Sequence, residues 1–93
     1  MERIFDEIRK IGEKYGCEKI VLFGSRARGD NLERSDIDLA VYGLEKDKEG
    51  RFWWDIDDLP TLLKIDLVYV SEHTNPKLIE NIERDGVVIY ERS

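Results

Sequence analysis

The chain is poor in cysteine, histidine and methionine, with one of each, and has two prolines in 93 residues. A lone cysteine, Cys17, forms no internal disulfide, whereas small secreted domains ordinarily rely on several. A reducing, cytoplasmic setting is therefore expected, with Cys17 as a small buried apolar residue. One histidine and one cysteine do not make up the three or four ligands of a zinc site, which leaves His73 as an ordinary loop residue. Basic charge is also in deficit: 15 Lys plus Arg against 21 Asp plus Glu give a formal net charge of −6. Gripping long nucleic acid through its phosphates needs a broad basic surface, so that class is excluded, while a small anionic ligand at a local site is not. Apolar runs are short, and Ile20–Phe23 falls far below the roughly 20 residues that span a bilayer. The opening Met1-Glu2-Arg3-Ile4-Phe5-Asp6-Glu7 interleaves charge with apolar residues where a signal peptide has an unbroken apolar core. No membrane role is expected.

What is present suffices for a core. Hydrophobic residues make up 41% and charged residues 39% of the chain, the balance of a globular domain with a heavily charged surface. Its length predicts a single domain, 1–93. Ile4, Ile8, Ile11 and Tyr15, with Phe5 beside them, form one helical stripe that Gly16 would cap. Lys19–Phe23 is β-rich without alternation, as in a strand covered on both faces, and Gly24 ends it. Residues 25–31 read as a short helix or turn, and the polar stretch to Ser35 as a loop. From Asp36 the period becomes two, with Ile37, Leu39 and Val41 on one face and Asp36, Asp38, Ala40 and Tyr42 on the other. Gly43–Gly50 is charged and reads as a loop. Phe52, Trp53, Ile56, Leu59, Leu62 and Leu63 recur at roughly helical spacing, but Pro60 predicts a broken or shortened helix. Lys64–Val70 is a third strand. Thr74-Asn75-Pro76 opens a helix with the stripe Leu78, Ile79, Ile82, Gly86 ends it, and Val87–Tyr90 is a fourth strand. This order predicts an α/β (α+β) fold, a small sheet of about four strands with helices packed against it.

Three carboxylates stand out by position. Asp36 and Asp38 leave the same strand face with Cβ atoms roughly 6–7 Å apart, so both can reach one cation. Asp66, in Ile65-Asp66-Leu67-Val68, joins them if its strand is a neighbour, and is otherwise an exposed strand-entry acid. Three converging acids repel and push a proton onto one of them unless a cation lies between. Hard oxygen ligands favour Mg²⁺, or Mn²⁺, over Zn²⁺, and Mg²⁺ usually completes its shell with water and substrate phosphates. The acids thus point to a phosphate ester or nucleotide.

Phe23-Gly24-Ser25-Arg26-Ala27-Arg28-Gly29 follows directly on the first strand. Glycine at a strand end lets the backbone approach a ligand, and the amides of Gly24, Ser25 and Arg26 could donate to phosphate oxygens. Ser25 adds a hydroxyl. Arg26 and Arg28 serve equally well as phosphate ligands or as surface partners of Asp30 or Glu33. No Gly-Lys-Ser/Thr follows, so this is not a Walker loop.

Gly24-Ser25, ten intervening residues, and Asp36-Ile37-Asp38 resemble the signature of the polymerase-β-like nucleotidyltransferase superfamily. The longer string GSRARGDNLERSDIDLAV resembles the minimal nucleotidyltransferase family, small proteins often encoded beside a HEPN-domain partner. The resemblance runs from the first helix to the closing strand and implies the family's fold, a small mixed β-sheet with helices packed against it. It implies that Gly24 and Ser25 hold the phosphates of ATP, beside which Arg26 and Arg28 are, by their own charge, further phosphate-binding candidates, and that Asp36, Asp38 and Asp66 are catalytic and bind metal. Two Mg²⁺ ions about 3.5–4 Å apart would clamp the attacking and leaving oxygens. The implied activity is transfer of AMP from ATP to a hydroxyl acceptor, a tyrosine of a HEPN toxin, by the antitoxin of a toxin-antitoxin pair, in a hetero-oligomer. A single domain of this length is expected to leave no room for an acceptor-holding domain, so another molecule is expected to hold the acceptor. Two other readings stand beside this one: a non-catalytic antitoxin that neutralises its partner by contact, and a standalone small-molecule nucleotidyltransferase.

The remaining residues read simply. Trp53 and Trp54 are adjacent and point about 100° apart on a helix, so only one can face the core. Asp55, Asp57 and Asp58 read as a solvated helix face. Leu62, Leu63 and one of the tryptophans are the expected members of an exposed apolar face that a partner completes.

Overall fold

The apolar stripe of the first segment does form a helix, α1 (Glu2–Tyr15), in a computed structural model that describes residues 2–24, 27 and 36–92. Its end is set by Gly16 at φ +69°, a left-handed conformation that a Cβ disfavours. The Gly16 amide donates to Glu13 O and the Cys17 amide to Gly12 O, each at 3.3 Å, the Schellman pairing of a helix C-terminus. Then come β1 (Lys19–Phe23), β2 (Ile37–Tyr42), a 3₁₀ turn at Lys46–Lys48, α2 (Glu49–Asp57), β3 (Ile65–Val70), α3 (Pro76–Asp85) and β4 (Val87–Glu91). Asn75 caps α3 by accepting from the Lys77 amide at 2.8 Å, with Pro76 in the first helical turn.

The four strands form one sheet in the order β3-β2-β1-β4. β1 runs antiparallel to both β2 and β4, and β2 runs parallel to β3. The sheet is therefore mixed, as expected. Its two faces are unequal. On one, α1 and α2 cover a core built on Ile8, Ile20, Ile37, Leu39 and Phe52. The Phe52 ring meets Tyr15 and Tyr69 edge-to-face, with centroids 5.9 Å and 6.3 Å away, a favoured aromatic geometry. On the other face α3 covers a smaller patch of Val21, Ala40 and Ile82. No described helix is long and apolar enough to cross a membrane.

Several expectations change. The charged segment 43–50 is not all loop, because the 3₁₀ turn runs straight into α2 at Glu49; a turn with no buried residue leaves no apolar period to read. α2 is indeed shortened, ending at Asp57, and Pro60 lies beyond it. β2 is not apolar on one face only, since Ala40 is fully buried under α3. Neither tryptophan is core: Trp53 is 49% and Trp54 66% exposed, because Phe52 and Ile56 take the inward positions of α2. Leu62 is exposed, but Leu63 packs against the core. Asp55 is tied down rather than merely solvated, accepting from Lys14 Nζ at 2.9 Å and Tyr15 OH at 2.8 Å. Cys17 is buried, as expected.

Candidate functional site

Parallel pairing of β2 and β3 puts Ile37 level with Ile65 and, one step on, Asp38 level with Asp66. Neighbouring strands lie about 4.8 Å apart, so the two carboxylates leave the same sheet face side by side. Asp36 sits just before β2, exposed to solvent. All three stand at the end of the sheet where β2 and β3 begin. α3 packs farther along the same face, over Val21 and Ala40, so its body does not lid the acids.

The electrostatics follow from this placement. Partial burial pushes the Asp38 carboxyl above its usual range, and the negative charges of Asp66 and then Asp36 push it further. Burial disfavours the ionised form and like charges disfavour it again. Asp38 is thus the focus of the cluster. Lys64 Nζ lies 3.5 Å from Asp66 Oδ1, an ion pair whose members are 72% and 42% exposed and which therefore contributes little. Among the described residues no group of three acidic, histidine or cysteine side chains is already drawn together closely enough to hold a metal ion. The donor set is nonetheless three carboxylates, with Asp38 under the charge of both others and Asp66 paired with Lys64. That fits Mg²⁺, which takes few protein ligands and fills its shell with water and phosphate oxygens.

Gly24 links the turn to the acids. β1 ends at Phe23, directly opposite Asp38 in the antiparallel pair, so the next residue crosses the front of the carboxylate. A Cβ placed at Gly24 would lie 2.5 Å from Asp38 Oδ2, and the residue stands at φ +79°. The left-handed φ favours glycine, and any side chain there would have to push the Asp38 carboxylate aside. Ser25, Arg26 and Arg28 lie outside the described residues, as does most of the expected short helix and loop after Gly24; Ala27 is helical.

Two features escaped the sequence reading. Lys64 beside Asp66 was legible in the Lys-Ile-Asp alternation, which puts positions 64 and 66 on one face. The other is a cavity of about 420 Å³ bordering Asp66 and lined by Trp53, Leu67 and Tyr69 among others. It joins α2 to the outer edge of β3, and no local pattern marks it.

Comparison with known proteins extends these observations. Residues 6–93 match the family described as "Polymerase beta, Nucleotidyltransferase". A Methanocaldococcus jannaschii protein named "Putative protein adenylyltransferase" is 36% identical over 96% of this chain and 97% of its own length. A second protein of that name and organism is 35% identical over 83% of this chain and 81% of its own. Among solved structures, one described as a toxin-antitoxin with AMP-PNP superposes with a TM-score of 0.75 at 21% identity, covering 96% of this chain and 74% of the other. At that identity the likeness is one of fold.

Proposed function

The chain belongs to the polymerase beta nucleotidyltransferase family, and from that premise we propose that it moves AMP from ATP, with Mg²⁺ or Mn²⁺, to a hydroxyl of a partner protein. We assign the acceptor as a tyrosine of a HEPN-domain toxin, the chain being the antitoxin of the pair, in a cytoplasmic hetero-oligomer. Residues 1–93 act as one nucleotidyltransferase domain in this reading. The observation that carries it is the seating of Gly24 against Asp38, level with Asp66. Its acceptor side draws on the names of the relatives, protein adenylyltransferases, and on a toxin-antitoxin of the same fold that carries AMP-PNP.

The roles follow from chemistry. Asp36, Asp38 and Asp66 would hold the divalent cation, which when bound neutralises phosphate charge and polarises the α-phosphorus. Gly24 lets the backbone approach the phosphates, the Ser25 hydroxyl donates to them, and Arg26 and Arg28 add positive charge. The acceptor oxygen forms a bond to the α-phosphorus as the bond to the pyrophosphate oxygen breaks, and pyrophosphate carries that electron pair away. Asp66 takes the acceptor proton.

The test uses α-labelled ATP, Mg²⁺ and the HEPN partner, with intact mass read on the partner. Added AMP that vanishes in the Asp36→Asn, Asp38→Asn double variant is the expected result. A tight complex with an unmodified partner would support neutralisation by contact instead, and transfer to a small acceptor without any partner would support the standalone enzyme.

A further inference from the structure

β3 is the outermost strand on its side of the sheet, so among the described residues no strand pairs with its outer edge. The Ile37 amide donates to Lys64 O at 2.9 Å while Ile37 stands level with Ile65. In a parallel ladder this alternation turns the main-chain groups of Ile65, Leu67 and Tyr69 outward. The strand IDLVYV carries one charge and no proline. An apolar edge without such blocks is the surface to which another extended segment adds.

The edge separates two chemically different environments. On one face stand Asp66 and Asp38. On the other, Trp53 and Ile56 of α2 with Leu67 and Tyr69 line a cavity of about 420 Å³ that Asp57 and Lys64 also border. Trp53 is half exposed there, its ring beside that of Trp54 with centroids 5.6 Å apart. Successive side chains of a strand project to opposite faces. One segment paired to β3 would therefore serve both environments with adjacent residues.

We propose that the outer edge of β3 receives an extended segment of the acceptor protein as a fifth strand, with the acceptor hydroxyl over Asp66 and a neighbouring large apolar side chain in the Trp53 cavity. This rests on the transferase reading and specifies how its acceptor is recognised. Two observations select the occupant. The edge is continuous with the acid cluster through Asp66, so a chain lying on it passes the reacting centre. Asp57 and Asp66 border the cavity with Lys64 as the one base between them, on a chain of net charge −6, and this residual acidity favours a segment flanked by Lys or Arg through complementary potential.

The experiment measures AMP transfer from ATP to synthetic heptapeptides with lysine at both ends and a central tyrosine. In one the tyrosine is flanked by leucine, in a second by glycine, and a third repeats the first with alternate backbone amides N-methylated. The leucine peptide should react about tenfold faster than either, since burying one leucine is worth at least that factor. Trp53→Ala should bring the leucine and glycine peptides to similar rates. ATP affinity of the unmodified enzyme is measured separately by calorimetry. If ATP binds but the three peptides react alike, or none reacts, edge recognition is overturned and the transferase reading stands. If ATP does not bind with Mg²⁺ present, both fall.

Discussion

Asp38→Asn should stabilise the metal-free protein while abolishing its response to Mg²⁺. Asp38 faces Asp66 across neighbouring strands, and at roughly 5 Å two unit charges repel by about 0.8 kcal/mol in water and about 3 kcal/mol at an effective dielectric of 20. Asp66 is 42% exposed, so screening places the effect near the lower figure, about 1 kcal/mol. Relief of that repulsion should raise the Tm by about 4–8 °C in a domain of this size. The sign fixes the pH window. The folded-state pKa of Asp38 is raised above its ordinary 3.8 by burial, Asp66 and Asp36, so ionising it disfavours the folded state. This penalty is complete above the raised value and disappears as pH falls to 3.8 and below. The advantage of the variant should therefore be present at pH 7 with chelator and absent near pH 3. Added Mg²⁺ should raise the Tm of the parent protein by linkage and leave the variant unmoved. Thermal melts followed by circular dichroism read all of this. A variant that melts at or below the parent at pH 7 in chelator would refute the reasoning.

Two other perturbations test the framework around the acids. Gly24→Ala forces a Cβ into the left-handed region, at about 1–2 kcal/mol, and pushes on Asp38 Oδ2; urea denaturation should show a loss of about 1–3 kcal/mol, with transfer activity falling further than that loss explains. Asp55→Asn removes the negative charge that accepts from Lys14 and Tyr15 between α1 and α2. The hydrogen bond from Lys14, then that from Tyr15, lowers the Asp55 pKa, so its contribution is present above 3.8 and lost as pH falls through the lowered value. The parent should be more stable than this variant at pH 7, and the gap should narrow toward pH 2; a gap independent of pH would contradict the pairing.

Much of this was legible because local chemistry and global fold agree. The period-two pattern of Asp36–Tyr42 put Asp38 on the strand and Asp36 at its threshold, one residue before β2 begins, and the unalternating Lys19–Phe23 announced a strand buried on both sides. Asn75-Pro76 marked the start of α3 through capping alone. What was not legible depends on pairing. Nothing in Ile65-Asp66-Leu67 specifies a parallel partner, yet that register is what puts Asp66 beside Asp38. The choice of Phe52 over its tryptophan neighbours is likewise a property of the space between α1 and β3, where its ring meets Tyr15 and Tyr69 edge-to-face. Adjacent aromatics on α2 presented several candidates and no local means of choosing.

The unequal covering of the sheet explains how a chain this short can hold destabilising acids. α1 and α2 cover the centre of one face, with Ile8, Ile20, Ile37, Leu39 and Phe52 all at 0% exposure, and that face carries most of the apolar burial. The other face is then free to be half open, since α3 need cover only Val21, Ala40 and their neighbours. Parallel pairing of β2 with β3 makes both strands begin at the same end, while antiparallel β1 finishes there. One end of one face thus collects two strand starts and one strand exit. The starts supply Asp38 and Asp66 and the exit supplies the Gly24 bend, so the juxtaposition follows from strand direction. A fully antiparallel sheet with the same strand order would put Asp66 at the far end, opposite Asp38 in neither register nor charge.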